Sequence, residues 1–261
     1  MLLMTMTTRK FYYRKAERHL VTFLRQMIGQ EPRDRVELAC SKENFGDWMI
    51  CPVGISRSST ILSLGVGNDV RFDRRMIETY GCEVHAYDPT PRWVDWIKTQ
   101  ELPAQFHFHP YAVGGTDSVM QLYPRVKKGK RSDTMMTMFE EGDGKGTPVE
   151  VTVKRISTIL SELGVREIDI LKMDIEGAEY EVIDDILDSG ISVYQLVVEF
   201  HHRFRTLSVE KTKAVLLKLR AAGYRIFHIT DKCREYSFIH EETLHLHQHE
   251  KTGLGLLSLD A

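Results

Sequence analysis

The sequence predicts an α/β fold in which a mostly parallel sheet carries helices on both faces and closes with an antiparallel hairpin. Three observations carry that prediction. Short apolar runs at Thr60–Leu64, Glu83–Tyr87 and Ile168–Met173 each give way to apolar positions at helical spacing, the alternation expected of repeated strand–helix units. Glycines and acids stand where strand turns into helix: Gly65-Val66-Gly67-Asn68-Asp69, then Asp88-Pro89-Thr90, then Asp174-Ile175-Glu176-Gly177. Near the carboxyl terminus, Tyr224–Ile229 and Tyr236–Ile239 read as two paired strands.

With 261 residues, 42% of them hydrophobic, the chain can bury the core of one large domain. Residues 1–52 are expected to form a helical extension and a covering segment, and residues 53–261 the main domain, with an insertion at about 119–149. No stretch approaches the roughly 20 apolar residues of a membrane span, and no signal-peptide core is seen, so a cytoplasmic protein is the expectation. Cys40, Cys51, Cys82 and Cys233 lack the C-x-x-C spacing of a zinc ribbon or redox motif. A net charge of −2 argues against a nucleic-acid partner. Basic residues are nevertheless concentrated before Arg35.

In chain order, Thr8–Ile28 reads as a basic amphipathic helix. Its apolar face is expected to pack on the domain, with peripheral contact to an anionic membrane as the other reading. Ser41–Pro52, with Phe45 and Trp48, should cover an edge or a ligand mouth. Phe72, Met76, Ile77 and Tyr80 mark a helix after the glycine loop. That loop lacks the third glycine of G-x-G-x-x-G, since Val70 stands there, so a dinucleotide's pyrophosphate would be poorly served. Asp88 ends the second strand at the spacing where an acid meets ribose hydroxyls, although Asp-Pro is also a helix-start pair. Gln105–Phe108 should be a third strand, followed by a turn holding Tyr111 and Ala112. Between Val119 and Val149 the pattern loosens into basic and glycine-rich stretches read as loop. Val193–His202 reads as a buried strand whose end presents Glu199, His201 and His202. Of the acids after Asp174, Glu179 and Glu181 are expected to serve the helix dipole at a first turn.

The stretch Leu171-Lys172-Met173-Asp174-Ile175-Glu176-Gly177-Ala178-Glu179 resembles the K-x-D-x-E-G-x-E signature of FkbM-type methyltransferases, which use S-adenosylmethionine. The likeness extends over about Ile61 to Ile239. It implies a class I methyltransferase-like, Rossmann-like sheet of seven strands with S-adenosyl-L-methionine as cofactor. It also implies a cofactor site at Gly65, Gly67, Asn68, Asp69, Asp88, Tyr111, Ala112 and Asp174, with the Tyr111 turn near the adenine. One departure is Ser63, where an acid often precedes the first glycine to meet the methionine ammonium group. Asn68, Asp69 and Asp174 are the candidates to replace it.

Methyl transfer to a hydroxyl needs alignment and a proton acceptor. His201 is the first candidate base, because imidazole titrates near neutrality and this residue leaves a strand end beside Asp174, with His202 pointing the other way. Asp174 and Glu199 have the oxygens to orient that histidine, bind the acceptor or hold a divalent cation; the sequence leaves the three open and assigns no metal. The expected activity is O-methylation of a sugar or small natural-product hydroxyl, with a small-molecule or glycan acceptor. The rival readings are a catalytically silent binding module of the same fold and, further off, a nicotinamide-dependent oxidoreductase or epimerase. Oligomeric state is not legible.

Overall fold

The computed structural model describes residues 17, 19–127, 130–137, 148–204 and 207–244. A first helix, α1, covers residues 19–27, and β1 (Glu43–Phe45) and β2 (Trp48–Ile50) form an antiparallel hairpin ahead of the main sheet. The units that follow are β3 (Thr60–Leu64), α2 (Arg71–Tyr80), β4 (Glu83–Tyr87), α3 (Pro91–Ile97) and β5 (Phe106–His109). Next come β6 (Ala112–Val113), β7 (Ser118–Lys127), β8 (Lys130–Thr137), β9 (Val149–Lys154) and α4 (Ile156–Leu163). The chain continues through β10 (Glu167–Met173), α5 (Glu179–Asp188), β11 (Ser192–Glu199), α6 (Val209–Ala221), β12 (Tyr224–Ile229) and β13 (Glu235–His240).

Seven strands form one sheet in the order β12-β13-β11-β10-β3-β4-β5. The neighbours from β11 through β5 run parallel, whereas β13 is antiparallel to both β11 and β12. This is the class I methyltransferase-like arrangement expected from the sequence, terminal hairpin included. Alternation along β3 explains why helices cover both faces: Leu62 and Leu64 join the core under α4, α5 and α6, while Ile61 joins the core under α2. Glycine C-caps with left-handed backbone stop α2 at Gly81 and α4 at Gly164.

Two expectations need correction. The apolar face of α1 does not pack on the domain: Leu20, Phe23, Leu24, Met27 and Ile28 are all exposed, and the helix is held through polar contacts such as Thr22 Oγ1 to the Asp231 carbonyl (3.2 Å). An amphipathic pattern specifies which face is apolar, not what that face meets; residues before 17 lie outside the described ones. The supposed loop at 119–149 also contains ordered strands. β7 pairs with β9 and with β8, giving a four-stranded sheet in the order β6-β9-β7-β8. Strand β7 is exposed at Val119 and Met120 and buried at Leu122, so no clean alternation announces it. The glycine-rich stretch 141–147 lies outside the described residues. Among the described residues, no helix is long and apolar enough to cross a membrane.

Candidate active site

Register brings the candidate residues together. Leu64 aligns with Met173 on one side and Tyr87 on the other, and Met173 aligns with Val198, so Gly65, Asp88, Asp174 and Glu199 all follow at the carboxyl ends of adjacent strands. In such sheets this is the rim where ligands bind. Gly65 has φ +76°, and a Cβ there would lie 1.7 Å from the Asp174 carbonyl oxygen, so only glycine lets the two strand ends meet. The Gly65 amide donates to Tyr87 O (2.8 Å), the Asp174 amide donates to Leu64 O (3.0 Å), and Lys172 Nζ donates to Gly65 O (3.0 Å).

A narrow pocket of about 70 Å³ is walled by Gly65, Asp88, Tyr111, Ala112, Asp174 and Glu176. Asp88 is buried. Its Oδ2 accepts from the Gly67 amide (2.8 Å) and its Oδ1 from the Thr90 amide (2.9 Å), so one carboxylate ties the glycine loop to the start of α3. Burial pushes its carboxyl up, against those bonds. The helix itself starts with Thr90 as cap and Pro91 at the first position, which separates Asp88-Pro89 from the capping role. Gly67 faces open space, while Val70 is core. Lys154 Nζ sits 4.0 Å above the Tyr111 ring.

A wider cleft of about 540 Å³ shares Gly65 and Asp174 with the narrow pocket and continues past Trp48, Lys172, Glu199 and the turn Ile229–Lys232. Asp69 lines it but is paired with Arg71 (2.6 Å), whose hydrogen bond holds the carboxyl below its usual range against partial burial. Asn68 is exposed, and Ser63 is wholly buried beneath the loop. Of the candidates to replace an acid at Ser63, Asp69 and Asp174 therefore reach the cleft. Glu199 is held by Arg234 Nη2 (2.8 Å); burial, then the charge of Asp174, pushes its carboxyl up.

Beneath Asp174 lies an acid–histidine cluster. Glu176 has φ +53°, a left-handed conformation uncommon outside glycine, and Gly177 follows with φ +110°. That turn leads into α5, where Glu179 is wholly buried: its Oε1 accepts from the amides of Ile175 (3.0 Å) and Gly177 (3.2 Å) and from His201 Nδ1 (2.8 Å). His201 Nε2 faces Asp174 Oδ1 at 3.6 Å and Glu176 Oε2 at 3.7 Å. Burial disfavours a charged imidazole, but Glu179, Asp174 and Glu176 outweigh it and raise the His201 pKa to about 9. Burial likewise pushes the Asp174 carboxyl up, against the pull of His201 and Lys172. His202 does point the other way, donating from Nε2 to the buried Glu31 (2.7 Å).

The sequence matches the Methyltransferase FkbM domain over residues 55–226. The chain belongs to the FkbM methyltransferase family. Similar proteins include the "Probable methyltransferase-like protein 24" of Rattus norvegicus, 25% identical over 201 residues that cover 73% of this chain and 47% of the relative. The Homo sapiens protein of the same name is 24% identical over 184 residues, covering 66% of this chain and 43% of that one. The chain thus spans about half the length of the curated relatives it matches. Among solved structures, a Methanococcus jannaschii fibrillarin pre-rRNA processing protein aligns over 80% of this chain and 85% of its own, with a TM-score of 0.43 and 13% identity.

Seen through the FkbM signature, Lys172 clamps the glycine loop, Asp174 closes the strand, Glu176 and Gly177 make the turn, and Glu179 anchors His201. One of these roles escapes a reading of the sequence alone. Glu179 is a first-turn acid of α5, as expected, but it is also buried and bound to His201 and two amides, whereas Glu181, the other first-turn acid, is exposed. The signal was present: Glu179 stands at i, i+3, i+4, i+7 with Val182, Ile183 and Ile186, on the apolar stripe of α5. Asp73 stands four positions before Ile77 on the stripe of α2, and it too is buried, its carboxyl pushed up by burial against the pull of Lys172.

Proposed function

We propose that this chain transfers a methyl group from S-adenosylmethionine to a hydroxyl oxygen of a sugar or other small natural-product acceptor. One juxtaposition carries the reading: the carboxylate of Asp174 borders both the narrow pocket of Gly65, Asp88, Tyr111 and Ala112 and the wider cleft beside Trp48 and Glu199. At about 70 Å³ the narrow pocket does not enclose a whole nucleoside, but its residues suit the groups of one lying across its mouth. Asp88 retains lone pairs for ribose hydroxyls beyond its two backbone bonds, Tyr111 offers a ring face, and the open side of Gly67 lets a ligand approach the backbone. With Val70 in the core and no third glycine, the loop favours a cofactor without a pyrophosphate.

S-adenosylmethionine bound there would supply an electrophilic methyl carbon to the acceptor oxygen, with sulfur keeping the electron pair of the broken carbon–sulfur bond and the hydroxyl proton passing to the Asp174 carboxylate. The protein's share is mainly alignment, which is worth roughly 7–11 kcal/mol of barrier in well-oriented systems. Asp174, common to both spaces, receives the hydrogen bond of the reacting hydroxyl. His201, the base expected from the sequence, lies under Asp174 with both ring nitrogens facing carboxylates and with a pKa of about 9. At neutral pH its work is to hold Asp174 and Glu176 in position. Glu199, fixed by Arg234, shapes the acceptor side.

Calorimetric titration of the full chain with S-adenosylmethionine, S-adenosylhomocysteine and NAD in parallel tests the cofactor. One-site binding of the first two, without NAD, is expected; binding of NAD alone, or of none, overturns the reading. Transfer of a labelled methyl group to a panel of saccharides and small hydroxylated acceptors tests the acceptor class.

A further inference from the structure

Helix α1 turns its polar side inward and its apolar side out. On the inner side His19 Nε2 lies 3.4 Å from Asp231 Oδ2, Thr22 Oγ1 donates to Asp231 O (3.2 Å), and Gln26 Nε2 donates to Pro32 O (2.9 Å). On the outer side Leu20, Phe23, Leu24, Met27 and Ile28 follow the spacing of one helical stripe, and each is more than half exposed. Of the ten large apolar side chains that are exposed among the described residues, six lie between Leu20 and Ile28. Single exposed apolar residues need no explanation, but a contiguous group of them marks an interaction surface. Leu217 of α6, also more than half exposed, borders the same groove as Met27 and extends the patch.

The patch is edged by positive charge. That groove, of about 440 Å³, is also lined by Glu31, Arg33, Asp34, Lys213 and Arg220. Its acids are already answered: Glu31 is buried against His202 and Arg203, and Asp34 pairs with Arg220. Arg33 bonds only uncharged groups, the carbonyls of Gln26 and Met27 and the Met27 sulfur, and Lys213 has a loose partner in Glu210 (3.7 Å). The charges of Arg33 and Lys213 are therefore open to an anion beside the apolar stripe. The sequence ahead of α1 adds Arg9, Lys10, Arg14 and Lys15, which lie outside the described residues. Through Arg35 the chain carries eight basic residues against three acidic ones, so the sign of the whole segment agrees with that of the groove.

We propose that α1 docks on an anionic lipid bilayer, with Leu20, Phe23, Leu24, Met27 and Ile28 among the upper acyl chains and Arg33 and Lys213 at the level of the lipid phosphates. Bulky apolar side chains on one face of a helix, rimmed by Arg and Lys, have the chemistry of an interfacial helix. Residues 19–27 are far too few to span a bilayer, so the helix lies on it. A second copy of the chain fits the face less well, because a two-fold interface repeats one surface on both sides and brings the two basic rims together. The polar underside has its own part in this arrangement. Hydrogen bonds to Asp231 and Pro32 fix the helix to the domain without using any of the apolar stripe. Docking on lipid does not depend on the methyltransferase reading.

The test is cosedimentation of the full chain with vesicles of phosphatidylcholine alone and of equal parts phosphatidylcholine and phosphatidylserine, with sedimentation velocity of the lipid-free protein beside it. Partition to the anionic vesicles should be at least about tenfold stronger than to the neutral ones, since each basic residue at the surface is worth about fivefold. Phe23→Gln/Leu24→Gln should weaken that partition at least about tenfold, from two large side chains withdrawn from lipid, with an unchanged melting temperature. Lys213→Gln should weaken binding to anionic vesicles about fivefold and leave binding to neutral ones as it was. No partition to anionic vesicles, or equal partition of the wild type and Phe23→Gln/Leu24→Gln, overturns the proposal. A lipid-free dimer that the same double substitution dissociates overturns it too, because a second copy then covers the stripe. Should the double variant melt below the wild type, Ile28→Gln, at the most exposed of the five positions, decides in its place, and unchanged partition there counts against docking.

Discussion

Gly65 offers the sharpest test of how the site is built, because Gly67 two residues later supplies its control. Both have left-handed backbone, φ +76° and +59°, so alanine at either position costs about 1–2 kcal/mol in conformation alone. Their surroundings differ. A Cβ at Gly67 meets nothing within 4 Å, whereas at Gly65 it would lie 1.7 Å from the Asp174 carbonyl oxygen and 2.7 Å from its carbon. Relief requires the ends of β3 and β10 to separate by more than 1 Å, against the Asp174 N–H to Leu64 O bond and the Lys172 bond to Gly65 O. Overpacking of this kind typically costs about 1–3 kcal/mol more. Gly65→Ala should therefore unfold about 2–12 °C below Gly67→Ala, at about 2–4 °C per kcal/mol. Displacing Asp174 should also abolish detectable S-adenosylhomocysteine binding in calorimetry, while Gly67→Ala weakens it. Equal melting temperatures and equal affinities for the two variants would refute the idea that the Gly65–Asp174 contact organises the site.

Other consequences can be tested separately. Asp88→Ala should weaken S-adenosylhomocysteine at least about tenfold, from two lost hydrogen bonds to a carboxylate, and unchanged affinity would remove the ribose assignment. Glu31→Ala leaves the buried side of His202 and the guanidinium of Arg203 without their acceptor, and should cost about 3–5 kcal/mol in urea denaturation. Burial raises the pKa of Glu31, but its bonds to His202 and Arg203 outweigh that and hold it below the ordinary 4.5. A depressed folded pKa means stability that is complete above about pH 4.5 and lost as pH falls through the folded value. Glu31→Gln should flatten that acid limb, and an unchanged pH dependence would show that Glu31 does not carry it.

What could be read in the sequence, and what could not, follows from the range of each interaction. Strand ends were legible because β3, β4 and β10 are short apolar runs cut off by glycine or aspartate, and parallel pairing then puts Gly65, Asp88 and Asp174 side by side without further information. The same logic reached Glu199 and His201, although β11 stops at Glu199 and His201 belongs to the turn beyond it. It gave His201 a neighbour but not a charge state. That state depends on Glu176 and Glu179, whose orientation comes from a left-handed turn that no periodicity reports. Glu31 was out of reach altogether, since its partners His202 and Arg203 are 171 and 172 residues away and it lies on no regular element.

The contrast between the two histidines shows why this matters for chemistry. His201 and His202 are adjacent and equally buried, yet one meets three carboxylates at the ligand rim and the other a single glutamate from the amino-terminal extension. The extension therefore grips the turn from behind at His202 and Arg203 while α5 grips it from the front through Glu179. A side chain clamped on both sides holds its geometry but gives up freedom to move a proton. That is a better specification for positioning an acceptor than for a mobile general base.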